Sequence, residues 1–316
     1  MTRVAAIDCG TNSIRLLVAD LPKQEGAPLT DLVRRMEVVR LGQGVDRTGR
    51  LAGEAIERTR VALADYATVI RDLGATRVRM VATSASRDAE NADEFRDIVV
   101  ATIGVPPDVA TGEEEAGLSF SGAVRGLPAT AAAPFLVVDI GGGSTEFVVG
   151  ERTVDRAVSI DVGCVRMTER HLHGDPPGAA EVAAAEADIA AAVTGALDVV
   201  GAARARTLVG LAGSVTTVAA LVLNLSHYQP ERIHHARLSY DDVAKVCADL
   251  LAMTRGQRLA LPAMHPGRAD VIGAGALVLR VLMERAGADA VIASEHDILD
   301  GIAWSLLPTP SPSSST

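Results

Sequence analysis

Phe135-Leu-Val-Val-Asp139-Ile-Gly141-Gly142-Gly143-Ser144-Thr-Glu146-Phe-Val-Val-Gly150 places an acid and a glycine run between two short apolar segments. Phe135 to Val138 and Phe147 to Val149 are β-branched and aromatic, so the stretch reads as a β-hairpin. Its glycines are expected to supply the positive φ of a tight turn. Glycines also leave backbone N–H groups bare. Convergent bare N–H groups form an anion-binding nest, so a phosphate fits on this loop while Asp139 and Glu146, at its two ends, hold a divalent cation against it.

The same arrangement occurs at the N-terminus, in Val4-Ala-Ala-Ile-Asp8-Cys9-Gly10-Thr11-Asn12-Ser13-Ile-Arg-Leu-Leu-Val-Ala-Asp20. Sliding one stretch along the other until Asp8 meets Asp139 also superposes Gly10 on Gly141 and Ser13 on Ser144. A long-period duplication with acid and glycine turn in register predicts two similar domains, each presenting a phosphate loop to a shared cleft.

The chain has 316 residues, 48% of them hydrophobic, enough for two cores. No apolar run reaches the roughly 20 residues that cross a bilayer, and the first strand is expected to begin almost at Met1, without a signal peptide, so the expectation is a cytoplasmic protein with no membrane partner. Cys9, Cys164 and Cys247 are odd in number and lack Cys-x-x-Cys spacing, which predicts reduced core thiols. The formal net charge of −10 excludes a general nucleic-acid surface. A polyphosphate ligand stays compatible with it, because backbone N–H groups, a cation and a few arginines hold such an anion locally. Lysine occurs only at Lys23 and Lys245, which disfavours a lysine P-loop or Schiff-base chemistry.

In chain order, Val38 to Val45 reads as a strand entering a glycine loop and Gly53 to Leu73 as a helix ended by Gly74. Arg79 to Ala82 reads as a strand leading into Thr83-Ser84-Ala85-Ser86-Arg87-Asp88, and a helix follows to about Thr102. After a short strand from Asp108, Gly112-Glu113-Glu114-Glu115 opens another helix. Later come strands at Ala157 to Val162, Arg206 to Leu211 and Ala290 to Ala293. A helix at Ala180 to Val200 and a closing helix at Asp297 to Leu306 complete the pattern. Arg268 to Met283 reads as an apolar, glycine-containing helix suited to packing between domains. The alternation predicts α/β architecture with mixed sheets flanked by helices, divided into 1–127, 128–307 and a disordered tail at 308–316. Asp8, Arg87 and Glu115 all follow predicted strands, where an open α/β sheet forms its crevice.

Phosphoryl transfer to water needs a phosphate cradle, a cation, a group that orients water and an arginine near the transferred group. Gly10, Thr11, Asn12, Ser13, Gly141, Gly142, Gly143 and Ser144 are the expected cradle. Gly213 and Ser214, before a helix, form a third phosphate-facing N-terminus. Asp8, Asp139 and Glu146 are the expected Mg²⁺ ligands, Glu115 the base and Arg87 the clamp. The bland alternatives are a solvated helix cap for Glu113 to Glu115 and a surface ion pair for Arg87 with Asp88. The seven histidines show no metal spacing, and His234-His235 reads as a loop feature.

Five segments, Asp8 to Ser13, Ala82 to Asn91, Gly112 to Ala116, Asp139 to Glu146 and Gly213 to Thr217, resemble the exopolyphosphatase/guanosine pentaphosphate phosphohydrolase family, in order and over nearly the whole chain. The resemblance implies two ribonuclease-H-like domains of the actin-like ATPase superfamily around a central cleft. It further implies Mg²⁺-dependent release of terminal phosphate from inorganic polyphosphate or guanosine pentaphosphate. By the family pattern Glu115 is the general base, Asp139 and Glu146 belong to the metal and phosphate site, and Arg87 contacts phosphate when the domains close. Longer members add C-terminal helical domains that extend a basic channel. The expectation here is therefore short chains, with a homodimer making up part of that channel. A sugar-kinase-like ATPase and a non-catalytic polyphosphate or alarmone sensor are the other classes to weigh.

Overall fold

In the computed structural model, which describes residues 2–22, 27 and 29–307, the two glycine hairpins lie at the centres of two sheets. The tail expected at 308–316 lies outside the described residues. The first sheet contains β1 (Thr2–Cys9), β2 (Ser13–Leu21), β3 (Thr30–Val38), β4 (Arg77–Ala82) and β5 (Asp108–Val109), in the order β3-β2-β1-β4-β5. The second contains β6 (Phe135–Ile140), β7 (Thr145–Gly150), β8 (Val154–Ile160), β9 (Thr207–Leu211), β10 (Arg237–Ser239) and β11 (Ala290–Ala293), in the order β10-β11-β9-β6-β7-β8. Each sheet is mixed. The hairpin strands and their outer neighbour are antiparallel, whereas β4 adds parallel to β1 and β9 parallel to β6. Read outward from the hairpins, β6, β7, β8, β9 and β11 repeat β1 to β5 place for place.

Thirteen α-helices lie among the described residues, most of them packed on these sheets. In chain order they are α1 (Val45–Thr48), α2 (Gly53–Asp72), α3 (Ser84–Arg87), α4 (Ala92–Ile103), α5 (Gly112–Val124), α6 (Cys164–His171) and α7 (Ala179–Val200). There follow α8 (Ala212–Val222), α9 (Pro230–Ile233), α10 (Tyr240–Ala252), α11 (Arg255–Leu259), α12 (Ile272–Ala286) and α13 (Ile298–Ser305). The near-continuous apolar run in β1 follows from burial on both faces: Ala5 and Ile7 point toward Leu63, Tyr66 and Phe95, while Val4 and Ala6 point toward Ile298, Leu299 and Ile302.

That second cluster shows where chain order and packing cross over. Helix α13, from the end of the chain, covers the first sheet. Helix α5, from the first half, covers the second sheet through Ala116, Phe120 and Ala123 against Phe135, Val137 and Val148. The two helices meet at small residues. A Cβ on Gly122 would collide with the carbonyl oxygen of Asp297, and one on Gly301 with that of Leu118. Each sheet is thus closed on its inner face by a helix from the other half of the chain.

Three local expectations are corrected. The strand near residue 38 precedes it, as edge strand β3, and the segment after Val38 is a turn whose N–H groups bond the first glycine loop. Helix α12 does not pack between the halves: it lies inside the second core, against α7 and α10. Gly141, Gly142 and Gly143 do not have positive φ; the reason for glycine there is steric and belongs to the site.

Candidate active site

Asp8 and Asp139 each lie one residue before the end of their strands, β1 and β6, and the segments after β4, β5, β9 and β11 converge on the same groove at the carboxyl ends of the parallel strands. The groove between the loops is narrow, about 70 Å³, and is lined by Asp8, Gly10 to Ser13, Glu115, Asp139, Gly141, Gly142, Ser144, Gly213 and Ser214. Arg87, Gly143 and Glu146 stand behind this lining rather than on it.

The two loops have matching skeletons. The Gly10 N–H donates to the Ser13 carbonyl and the Gly141 N–H to the Ser144 carbonyl, each at 3.0 Å. The loop carbonyls are tied outward. Those of Thr11 and Asn12 accept from the N–H groups of Val39, Arg40 and Gly42, and those of Gly141 and Gly142 from Cys164, Val165 and Arg166 at the start of α6. The N–H groups of Thr11, Asn12, Gly142 and Gly143 donate to no protein acceptor among the described residues, which is the donor set of an anion nest. Glycine is required because the loops touch: a Cβ on Gly142 would lie 2.9 Å from Thr11 Cβ, and one on Gly143 2.8 Å from Thr11 Oγ1.

The acids divide by their partners. Asp8 faces Arg15 across β1 and β2, and Asp139 faces Glu146 at the equivalent place across β6 and β7. The Arg15 guanidinium donates to Asp8 Oδ2 from Nε at 2.9 Å and from Nη2 at 2.6 Å, and its Nη1 pairs with Asp297. An arginine thus occupies one oxygen of Asp8 where a free metal position was expected. Asp139 accepts from Ser119 Oγ at 2.7 Å. Glu146, 1% exposed, accepts from Ser159 Oγ at 2.8 Å through Oε1, while its Oε2 is buried without a partner. Burial, the Glu146 charge and Asp297 push the Asp139 carboxyl up to about 8. Burial also raises Glu146.

Among the described residues no three His, Cys, Asp or Glu side chains form a closed metal shell. Two adjacent carboxylates with one orphaned oxygen fit a cation such as Mg²⁺, which keeps waters and takes its remaining ligands from substrate phosphates. The acidic triplet at the start of α5 separates into roles. Glu114 closes a capping box with Thr111, whereas Glu115 turns inward and is 8% exposed. Its Oε2 accepts from Arg87 Nη1 at 3.3 Å, and Arg87 also donates to the Ala110 carbonyl. Burial and the charges of Glu146 and Asp139 hold the Glu115 carboxyl well above its usual range, against the pull of Arg87.

Two cleft arginines escaped the sequence reading. Arg15 is a charge inside the apolar run of β2, a signal visible in Ile14-Arg15-Leu16-Leu17-Val18. Arg268 carries no such signal; its guanidinium fills the space where Gly213 lacks a Cβ, and no carboxylate pairs with it among the described residues. Burial lowers its pKa.

The chain is 54% identical over 320 residues to exopolyphosphatase 2 of Mycobacterium tuberculosis, covering 97% of this chain and 99% of that protein. The structure superposes with a TM-score of 0.92 on an exopolyphosphatase-like protein at 43% identity, covering 96% and 98% of the two chains. It superposes at 0.81 on the Ppx/GppA family member of Aquifex aeolicus, at 31% identity over 96% and 97%. With these similarities and a match of residues 18–310 to the Ppx/GppA phosphatase family, the chain belongs to that family.

Proposed function

We propose that this protein is an exopolyphosphatase that hydrolyses the terminal phosphoanhydride of inorganic polyphosphate, aided by a divalent cation. The observation that carries the reading is the pair of facing loops with undonated N–H groups, with the buried Glu115 beside them. The terminal phosphate lies in the nest of Thr11, Asn12, Gly142 and Gly143, with Gly213 and Ser214 closing the groove. Glu115 orients a water and takes its proton as the water oxygen bonds to phosphorus. The bridging P–O bond breaks, orthophosphate forms, and the shortened chain leaves. A cation held by Asp139 and Glu146 supplies charge neutralisation when bound and keeps the Glu115 carboxylate ionised at neutral pH. Arg87, now on Glu115, is placed to move to the phosphate.

Phosphate release from short-chain polyphosphate with Mg²⁺, set against Glu115→Gln, tests the reading. The expected loss in kcat is about 10²- to 10⁴-fold; equal rates would remove Glu115 as the base. One observation favours guanosine pentaphosphate as a second substrate. Beside the groove, past Arg268, opens a cavity of about 540 Å³ with walls of Met36, Tyr228, Pro262 and Met264, suited to a nucleoside. Competition between the two substrates separates them.

No described helix is long and apolar enough to cross a membrane, and all three cysteines are free and buried. Reduced thiols support the cytoplasmic placement within this proposal. The homodimer is part of it too, and light scattering tests it.

A further inference from the structure

The carbonyls of the second phosphate loop are not all held alike. Backbone N–H groups at the start of α6 hold Gly141 and Gly142, but the Gly143 carbonyl accepts from a side chain, Arg166 Nε, at 2.7 Å. In the first loop the corresponding residue is Asn12, whose carbonyl is held by the backbone of Val39 and Arg40. One half of the duplicated fold therefore uses an arginine where the other uses main chain. The peptide geometry gives this weight. In a trans peptide the C=O and N–H point opposite ways, so holding the Gly143 oxygen outward turns the next N–H, that of Ser144, toward the groove that Ser144 lines.

The rest of the guanidinium reaches the first half of the chain behind the loops, where Asp46, Asp88 and Gly143 line one small pocket with it. Arg166 Nη2 donates to Asp88 Oδ2 at 2.6 Å and Nη1 pairs with Asp46, both from the first half of the chain. Its side chain is only 11% exposed. Asp88 follows Arg87 directly. Two neighbours on the same face of α6 complete the seam: Arg170 grips both oxygens of Asp46, at 2.8 and 2.9 Å, and Glu169 accepts from the Gly44 N–H at 3.1 Å. Asp46 is thereby fixed from two sides, and its carboxyl is held below its usual range, first by Arg170.

We infer that Arg166 is a positioning residue that locks the Gly143–Ser144 peptide to the Arg87–Asp88 segment, so that the phosphate nest and the arginine clamp take up their places together. This rests on reading the groove as a phosphohydrolase site. A lysine lacks the fork that serves three acceptors at once, so Arg166→Lys keeps the charge and loses the lock. Misplacement of about 1 Å costs on the order of a hundredfold in rate.

The test compares wild type, Arg166→Met, Arg166→Lys and Asp88→Asn by two readouts. The first is steady-state phosphate release from short-chain polyphosphate. The second is the distance between nitroxide labels at Arg50→Cys and His173→Cys, exposed positions in the two halves of the chain, with the native cysteines buried. The expected result is a fall in kcat of about a hundredfold for Arg166→Met with KM shifted under about threefold. Arg166→Lys stays below about a tenth of wild type, and the label distances of both Arg166 variants lengthen and broaden. Asp88→Asn added to Arg166→Met should cost nothing more. Wild-type kcat in both Arg166 variants, or label distances unchanged from wild type, would overturn the inference. If the wild type itself releases no phosphate, the reading of the groove fails, and the label distances still decide whether Arg166 locks the two halves together.

Discussion

Asp8 and Asp139 occupy equivalent places in the two sheets, yet their cross-strand partners, Arg15 and Glu146, carry opposite charge. Like charges directly opposite on a sheet repel, so the Asp139 and Glu146 pair is tolerable only where a counterion or a retained proton offsets it. In the first half the arginine is built in and neutralises Asp8 and Asp297 together. Removing it leaves two buried carboxylates facing each other. Arg15→Met should cost about 3 to 5 kcal/mol of stability by chemical denaturation; a loss under about 1 kcal/mol would mean that water or a proton already neutralises the pair. The duplication was legible from Asp8, Gly10 and Ser13, because acid, turn and strand recur in register. The division of labour was not, since a lone Arg15 in a strand does not say which of two distant carboxylates it meets.

At the scale of elements, the two hairpins could be read because both faces of their strands are buried, which leaves long apolar runs broken only by glycine. Edge strand β3 could not. Leu32, Arg34, Arg35 and Glu37 are exposed and its apolar residues keep no strict period. Neither could the exchange of α5 and α13, because an apolar face does not name the sheet it will cover. Their crossing gives a sharp test. Ala at Gly122 would force its methyl into the backbone of Asp297, whose side chain caps α13 and pairs with Arg15. Gly122→Ala should destabilise by about 3 kcal/mol, whereas Gly117→Ala, on the same helix with open space at its Cβ, should be neutral or slightly stabilising. Equal effects would show that the helices are not in this contact.

At the scale of the molecule, the acids gathered in the groove make stability depend on pH and on cations. A carboxyl whose pKa is raised in the folded state keeps a proton that the unfolded chain releases, so stability falls as pH rises toward the folded value. His234, His235 and His265, held neutral by burial, act in the opposite direction, but only up to about pH 6.5. Asp20 and Asp46, with lowered pKa, have ionised well below that. In chelator, therefore, Tm should drop between about pH 6.5 and about 8, the window set by Asp139. Millimolar Mg²⁺ should abolish the drop, and Asp139→Asn should reduce it without removing it, because burial keeps the Glu115 and Glu146 carboxyls raised; a Tm that rises across this window in chelator would contradict the charge balance described. The most direct measurement of the whole account pairs turnover with binding for Glu115→Gln. Polyphosphate should bind this variant within about threefold of wild type while phosphate release falls about 10²- to 10⁴-fold, because the loops hold the anion and the carboxylate acts on the water. Loss of binding with turnover preserved per bound chain would contradict it.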